Sequence, residues 1–141
     1  IPRTIIYLKL GKIIELHGNG SSIRAFIHIK DAIDATMKIA LNGKNGDVYH
    51  ISPPDIYSTT ILSLVKIICK ISKKNFSDST KLIDQNFGQD SVYSLNSDKL
   101  RNNLDWKPSI KIEQGIIETM DWINSNWETI KKMDLNYVHK K

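Results

Sequence analysis

His17 to His28, HGNGSSIRAFIH, sets two glycines one residue apart ahead of two serines and an arginine. Glycine-rich runs hold phosphates in two familiar ways, and each constrains the residues directly behind the run. A dinucleotide loop needs a third glycine, with a helix opening immediately after the loop. Here Ile23 stands at that place. The segment 23–29 alternates Ile23, Ala25, Ile27 and Ile29 against Arg24, Phe26 and His28, which is the two-residue period of a strand. Without a helix N-terminus no row of N–H groups is offered to a pyrophosphate. A P-loop fails as well, because no Gly-Lys-Ser/Thr comes next. Two readings stay open. The run is a Gly/Asn/Ser turn between two extended pieces, or it is that turn and also delivers Arg24, whose guanidinium would grip a diphosphate with parallel hydrogen bonds.

Working outward, Pro2 and Gly11 bracket a short helix over 2–10, with Ile1, Ile5 and Leu8 on one side. KIIEL (12–16) reads as a short strand. Asp31 is placed to cap the next helix, which carries Ala32, Ala35 and Ile39 on one face and stops at Gly43. VYHIS (48–52) reads as a buried strand ended by Pro53 and Pro54. The Ser/Thr cluster at 58–60 opens an apolar helix over about 59–72, with Ile61, Leu64, Val65 and Ile68 inward. Short strands are expected at 81–84 and 91–95. Ser97 is placed to cap a short helix closed by the Trp106–Pro108 turn. An amphipathic helix over 112–130 ends the ordered part. The result is a mixed α/β chain with few strands for its helices.

The chain has 141 residues, 40% of them hydrophobic and 25% charged, a composition that fits a single globular domain. No apolar run is long enough to span a bilayer, so no membrane role is expected. One cysteine, Cys69, excludes an internal disulfide and fits a reducing compartment, with the cytoplasm expected. The net charge of +5 is spread over helix faces and a basic tail, without aromatics interleaved on strands, so nucleic acid is not the expected partner. His17, His28, His50 and His139 lack metal-ligand spacing. Cys69 lies within the most apolar helix, a packing position. Asp31 and Asp34 read as a helix cap and a first-turn acid, and Trp106, Trp122 and Trp127 as packing residues. No residue announces itself as a catalyst.

Three segments together resemble one family. Residues 1–40, GDVYHIS (46–52) and GQDSVYSLNSDKLRNNLDWKPSIKIEQGIIETMDWI (88–123) are similar, in order and spacing, to the extended short-chain dehydrogenase/reductases that act on nucleotide sugars, most of all the dTDP-glucose 4,6-dehydratases. The resemblance is to the C-terminal, substrate-binding region alone, mostly helices with a few short strands and the Rossmann core largely absent. It implies a nucleotide-sugar-binding region over 1–131 and a flexible basic tail over 132–141. The family's Tyr-x-x-x-Lys pair and glycine-rich NAD loop have no counterpart here, so NAD is expected in the full-length enzyme and not on this segment. The resemblance implies the missing Rossmann part as a partner, and a homodimer when full length.

For the site, the resemblance implies that Arg24 contacts the diphosphate. Glu15, Leu16 and His17 would lie along the base through their backbone, with Lys12 near the nucleotide. Asn86, Gln89 and Asp55 stand where histidine, arginine or asparagine is common in the family, and Tyr93 keeps its aromatic, expected for packing. The function implied is substrate binding for an NAD-dependent sugar-nucleotide 4,6-dehydratase. An epimerase or reductase of the same superfamily, or a non-catalytic nucleotide-diphosphate module, are the alternatives.

Overall fold

A computed structural model describes all residues except 85–87, 89 and 136–141. Helix α1 (Pro2–Leu10) starts on Pro2 and stops at Gly11, whose left-handed φ of 66° lets its N–H return to the last turn. Strand β1 (Ile14–His17) alternates buried Ile14 and Leu16 with exposed Glu15 and His17. A tight turn over Gly18–Gly20 comes next, with φ of 56° at Gly18, 54° at Asn19 and 68° at Gly20. A Cβ on Gly20 would lie 2.9 Å from the backbone nitrogen of Leu62. Only glycine lets the turn seat against the next major helix.

Strand β2 (Ile23–Arg24) is shorter than its alternation predicts. His28 ends the extended stretch, because its Nδ1 accepts from the Lys30 N–H at 3.3 Å and opens helix α2 (Ile29–Asn42). His28, not Asp31, is therefore the cap. The segment 48–52, expected as a strand, belongs to no ladder among the described residues. Tyr49 and Ile51 pack while Val48 is exposed. The alternation is present, and what is missing is a neighbouring strand.

After a short turn at Asp55–Tyr57, strand β3 (Thr59–Thr60) leads into α3 (Ile61–Ile71), where the Thr60 hydroxyl accepts from the Ser63 N–H. Then come α4 (Phe76–Ser79), β4 (Thr80–Ile83), β5 (Val92–Tyr93) and α5 (Asp98–Leu104). Ser97 does not cap α5. Its hydroxyl donates to the Ser52 carbonyl at 2.7 Å, and Asn96 Oδ1 accepts the Asp98 N–H instead. The predicted final helix is two, α6 (Ile112–Ser125) and α7 (Trp127–Ile130), broken at Asn126.

β1 pairs in parallel with β4, while β2 lies between antiparallel β3 and parallel β5. The main core joins Ile5 and Leu8 of α1, Leu16 of β1, Leu64, Val65 and Ile68 of α3, and Ile116 and Ile123 of α6. Each large aliphatic side chain buried there contributes about 1.5–3 kcal/mol. A second core gathers Ala35, Leu100 and Trp106. Trp127 packs at the edge of the first core, but Trp122 is 61% exposed and is not a packing residue.

Candidate functional site

Arg24 lies on β2 between Thr59 of β3 and Tyr93 of β5. Its guanidinium donates to the Ile23 carbonyl at 2.7 Å and to the Asp90 carbonyl at 2.9 Å. A guanidinium has five N–H donors, so three stay unengaged among the described residues. The group is thus fixed in place and still able to bond an anion. Asp55 accepts a hydrogen bond from the Ser94 hydroxyl, so the 90–94 segment draws Arg24 and Asp55 into one region. Tyr93, expected for packing, is 56% exposed beside Arg24. The readings of Asn86 and Gln89 fall outside the described residues, as does residue 136 onward of the tail.

The second region is a cleft of about 260 Å³ between α1 and β1. Glu15, Leu16 and His17 form one wall, Arg3 and Tyr7 the other, and Val65 of α3 lies at its base. β1 pairs only with β4 among the described residues, and a parallel pair uses alternate backbone groups on one edge of each strand. The opposite edge of β1 keeps N–H and C=O groups for a flat ligand. Lys12 does not line this cleft but lies beside its Tyr7 wall. Its N–H bonds the Tyr7 carbonyl at 2.9 Å and its ammonium lies 5.6 Å from the Tyr7 ring centroid. Arg3 and Tyr7 were absent from the residues singled out by sequence, although their i,i+4 spacing on a helix was a usable signal.

A larger cleft, about 430 Å³, runs between Phe26, Tyr57 and Ile110. Asp31 borders it and does structural work there. Its carboxylate accepts from the Ser109 N–H and Oγ (3.0 and 2.8 Å) and from the Ile110 N–H (3.0 Å). Burial alone would raise its pKa, but those donors and nearby His28 together hold it below the usual carboxylate value. Glu118 is also held below its usual value, chiefly by hydrogen bonds from Lys30 and Gln114. Burial pushes the Cys69 thiol up, which leaves little thiolate for nucleophilic work.

Residues 1–119 match the family model described as GDP-mannose 4,6 dehydratase. The chain belongs to that family. It is 29% identical over 140 residues to a dTDP-glucose 4,6-dehydratase of Shigella flexneri, covering 93% of this chain and 38% of that protein. The crystal structure of the dTDP-glucose 4,6-dehydratase of Bacillus anthracis, in complex with NAD, superposes with a TM-score of 0.80 at 28% identity. That match covers 89% of this chain and 39% of the other. The UDP-glucuronic acid 4-epimerase of Bacillus cereus, in complex with UDP-glucuronic acid and NAD, shares the fold, with a TM-score of 0.76 at 23% identity over 87% and 38% of the two chains. This member of the family thus spans less than two-fifths of the length of these relatives. Its fold is that of the C-terminal part of extended short-chain dehydrogenase/reductases.

Proposed function

We propose that this chain binds a nucleotide-diphosphate sugar as the substrate-holding part of an NAD-dependent sugar-nucleotide 4,6-dehydratase, of the dTDP-glucose 4,6-dehydratase type. The observation that carries the reading is the open edge of β1, which gives a flat base a slot lined by Glu15, Leu16 and His17. Arg24 supports it with a guanidinium that is held by two carbonyls and keeps free donors. The base lies along β1 and the diphosphate meets Arg24. Asp55 and Tyr93 flank the diphosphate, and the resemblance adds Asn86 and Gln89 as substrate contacts. Lys12 contributes positive charge at the far end of α1. Binding energy gathered on the nucleotide then positions the sugar, which is remote from these contacts.

The glycine turn at 18–20 does not fit NAD, because it runs into β2 and not into a helix. When bound to the complete enzyme, NAD supplies the transient oxidation at the sugar. We assign it to a separate Rossmann part, docked on this chain. Two surfaces support that partner. Ile29, Ile33, Met37 and Leu41 form an exposed stripe at four-residue spacing along α2. The segment 48–52, which pairs with no strand among the described residues, offers a second surface.

Titration calorimetry of this chain with UDP-, dTDP-, CDP- and GDP-sugars tests the reading. Binding that is lost in Arg24→Ala supports it, and no binding of any of them overturns it. The second reading, an epimerase, rests on the likeness of fold to the UDP-glucuronic acid 4-epimerase. Product analysis of the complete enzyme separates the two, since a dehydratase yields a 4-keto-6-deoxy sugar and an epimerase an inverted hydroxyl.

A further inference from the structure

We propose that the outer face of α3, with the turn behind it, docks on an anionic lipid surface through Lys66, Lys70, Lys73 and Lys74. Residues 61–77 hold these lysines and no acid, and Asp78 is the first carboxylate after them. The net charge of the chain is +5, so this one segment accounts for most of it. Leu64, Val65, Ile68 and Cys69 turn α3 inward. Lys66 and Lys70, four residues apart, share the opposite, exposed face. The Lys66 ammonium lies 5.5 Å from the Phe76 ring centroid, which brings it toward the turn that carries exposed Lys73 and Lys74. Among the described residues no carboxylate pairs with any of the four. Lysine ammonium hydrogen bonds there belong to Lys9, Lys30, Lys38 and Lys99 instead.

The backbone gives an independent observation. α3 ends with the Lys73 N–H on the Lys70 carbonyl at 3.2 Å and the Lys74 N–H on the Cys69 carbonyl at 2.9 Å. Lys73 itself is left-handed, with φ of 53°. Glycine is the ordinary residue at that place in such a helix end, because a Cβ is disfavoured there. The chain thus keeps a strained lysine where glycine would relieve the backbone, and no contact of its ammonium among the described residues offsets the strain. Backbone strain of this kind is held where function requires the side chain.

A lipid surface fits the arrangement better than other polyanions. Lysine is a point charge on a flexible stem, without the planar fork that grips one phosphate. Several together suit a field of mobile headgroups. Base stacking needs exposed aromatics, and the one aromatic of the segment, Phe76, is half-buried beneath Lys66. No helix among the described residues can cross a membrane, and charge attraction to a surface needs none, which revises the expectation of no membrane role. Ile61 and Val65, elsewhere on α3, line the α1–β1 cleft. The docking face is separate from that cleft, so the inference does not depend on the nucleotide reading.

The test is flotation of the chain with vesicles of equal parts phosphatidylglycerol and phosphatidylcholine, and with phosphatidylcholine alone. Binding is expected only to the anionic vesicles, and it should fade as salt is raised. Lys66→Gln and Lys70→Gln should each lower partitioning about fivefold, and changing all four lysines to glutamine should abolish flotation. Lys73→Gly should weaken flotation while raising the urea midpoint, a pairing that a merely structural lysine would not give. Lys131→Gln combined with Lys132→Gln removes charge elsewhere and should leave partitioning unchanged. Circular dichroism verifies that each variant folds. Absence of flotation with anionic vesicles overturns the proposal, as does an equal loss in the Lys131/Lys132 variant. Tighter retention by duplex DNA than by the vesicles at one ionic strength assigns the face to nucleic acid and overturns the lipid reading. Parent-like flotation of Lys73→Gly overturns the part given to Lys73.

Discussion

The Arg24 guanidinium spends part of its hydrogen-bonding capacity on its own backbone, through the carbonyls of Ile23 and Asp90. Those bonds aim the remaining donors, so Arg24→Ala should weaken nucleotide-sugar binding by about 1–3 kcal/mol, read by calorimetry. Arg24→Lys should restore little, because one ammonium cannot hold two carbonyls and an anion in a fixed plane. Asp31 is the second residue with a definable task. Its carboxyl pKa is lowered in the folded chain, so its ionised form stabilises the fold. That contribution is complete above the ordinary value of about 4 and is lost as pH falls through the lower folded value. Asp31→Asn should cost about 2 kcal/mol near neutral pH, and a much smaller difference from the parent chain should remain in acid. Urea midpoints of both chains at pH 7 and in strong acid check this. Sequence reading placed Asp31 at a helix start, because capping is a local rule. Its partners Ser109 and Ile110 lie 78 and 79 residues away, beyond any local pattern.

The elements divide by how local their signals are. α1 was legible in full, since Pro2 and Gly11 mark its ends within the segment itself. α3 was legible because Thr60 and the apolar stripe lie side by side in sequence. β2 is shorter than its alternation suggests: the period continues to Ile29, but the His28 side chain captures the Lys30 N–H and opens the helix three residues before a cap at Asp31 would. The break at Asn126 was hidden because the apolar stripe continues through Trp127 and Ile130. The glycine turn is where elements lock together, with Gly20 against the first turn of α3. Gly20→Ala combines a left-handed backbone with a contact to backbone, so a loss of more than about 1 kcal/mol is expected, measured by thermal or urea unfolding. Ile68→Ala, at a fully buried position of α3, should cost about 2–5 kcal/mol in the same assay.

Across the whole molecule, one helix face is left over. Ile29, Ile33, Met37 and Leu41 run along α2 on the side away from Ala35, the helix's fully buried residue, and an apolar stripe of this kind marks a contact surface. Ile33→Glu combined with Met37→Glu should leave the unfolding midpoint within about 0.5 kcal/mol, while reducing binding of a hydrophobic dye and association with a separately produced Rossmann part. The chain alone, given NAD and a nucleotide sugar, should form no 4-keto-6-deoxy product, which mass spectrometry of the reaction mixture detects. The sequence by itself determined that HGNGSSIR is a turn into a strand and not a cofactor loop, because glycine spacing and side-chain period are properties of neighbouring residues. It also placed Arg24 directly after that turn. Only the tertiary structure decided that the Asp90 carbonyl holds Arg24, and that β1, paired with β4 alone among the described residues, shares a cleft with Arg3. It likewise decided that residues 48–52 join no ladder among the described residues. These outcomes depend on which distant segments meet, and a hydrogen bond between strands needs both partners present before either strand's sequence can specify it.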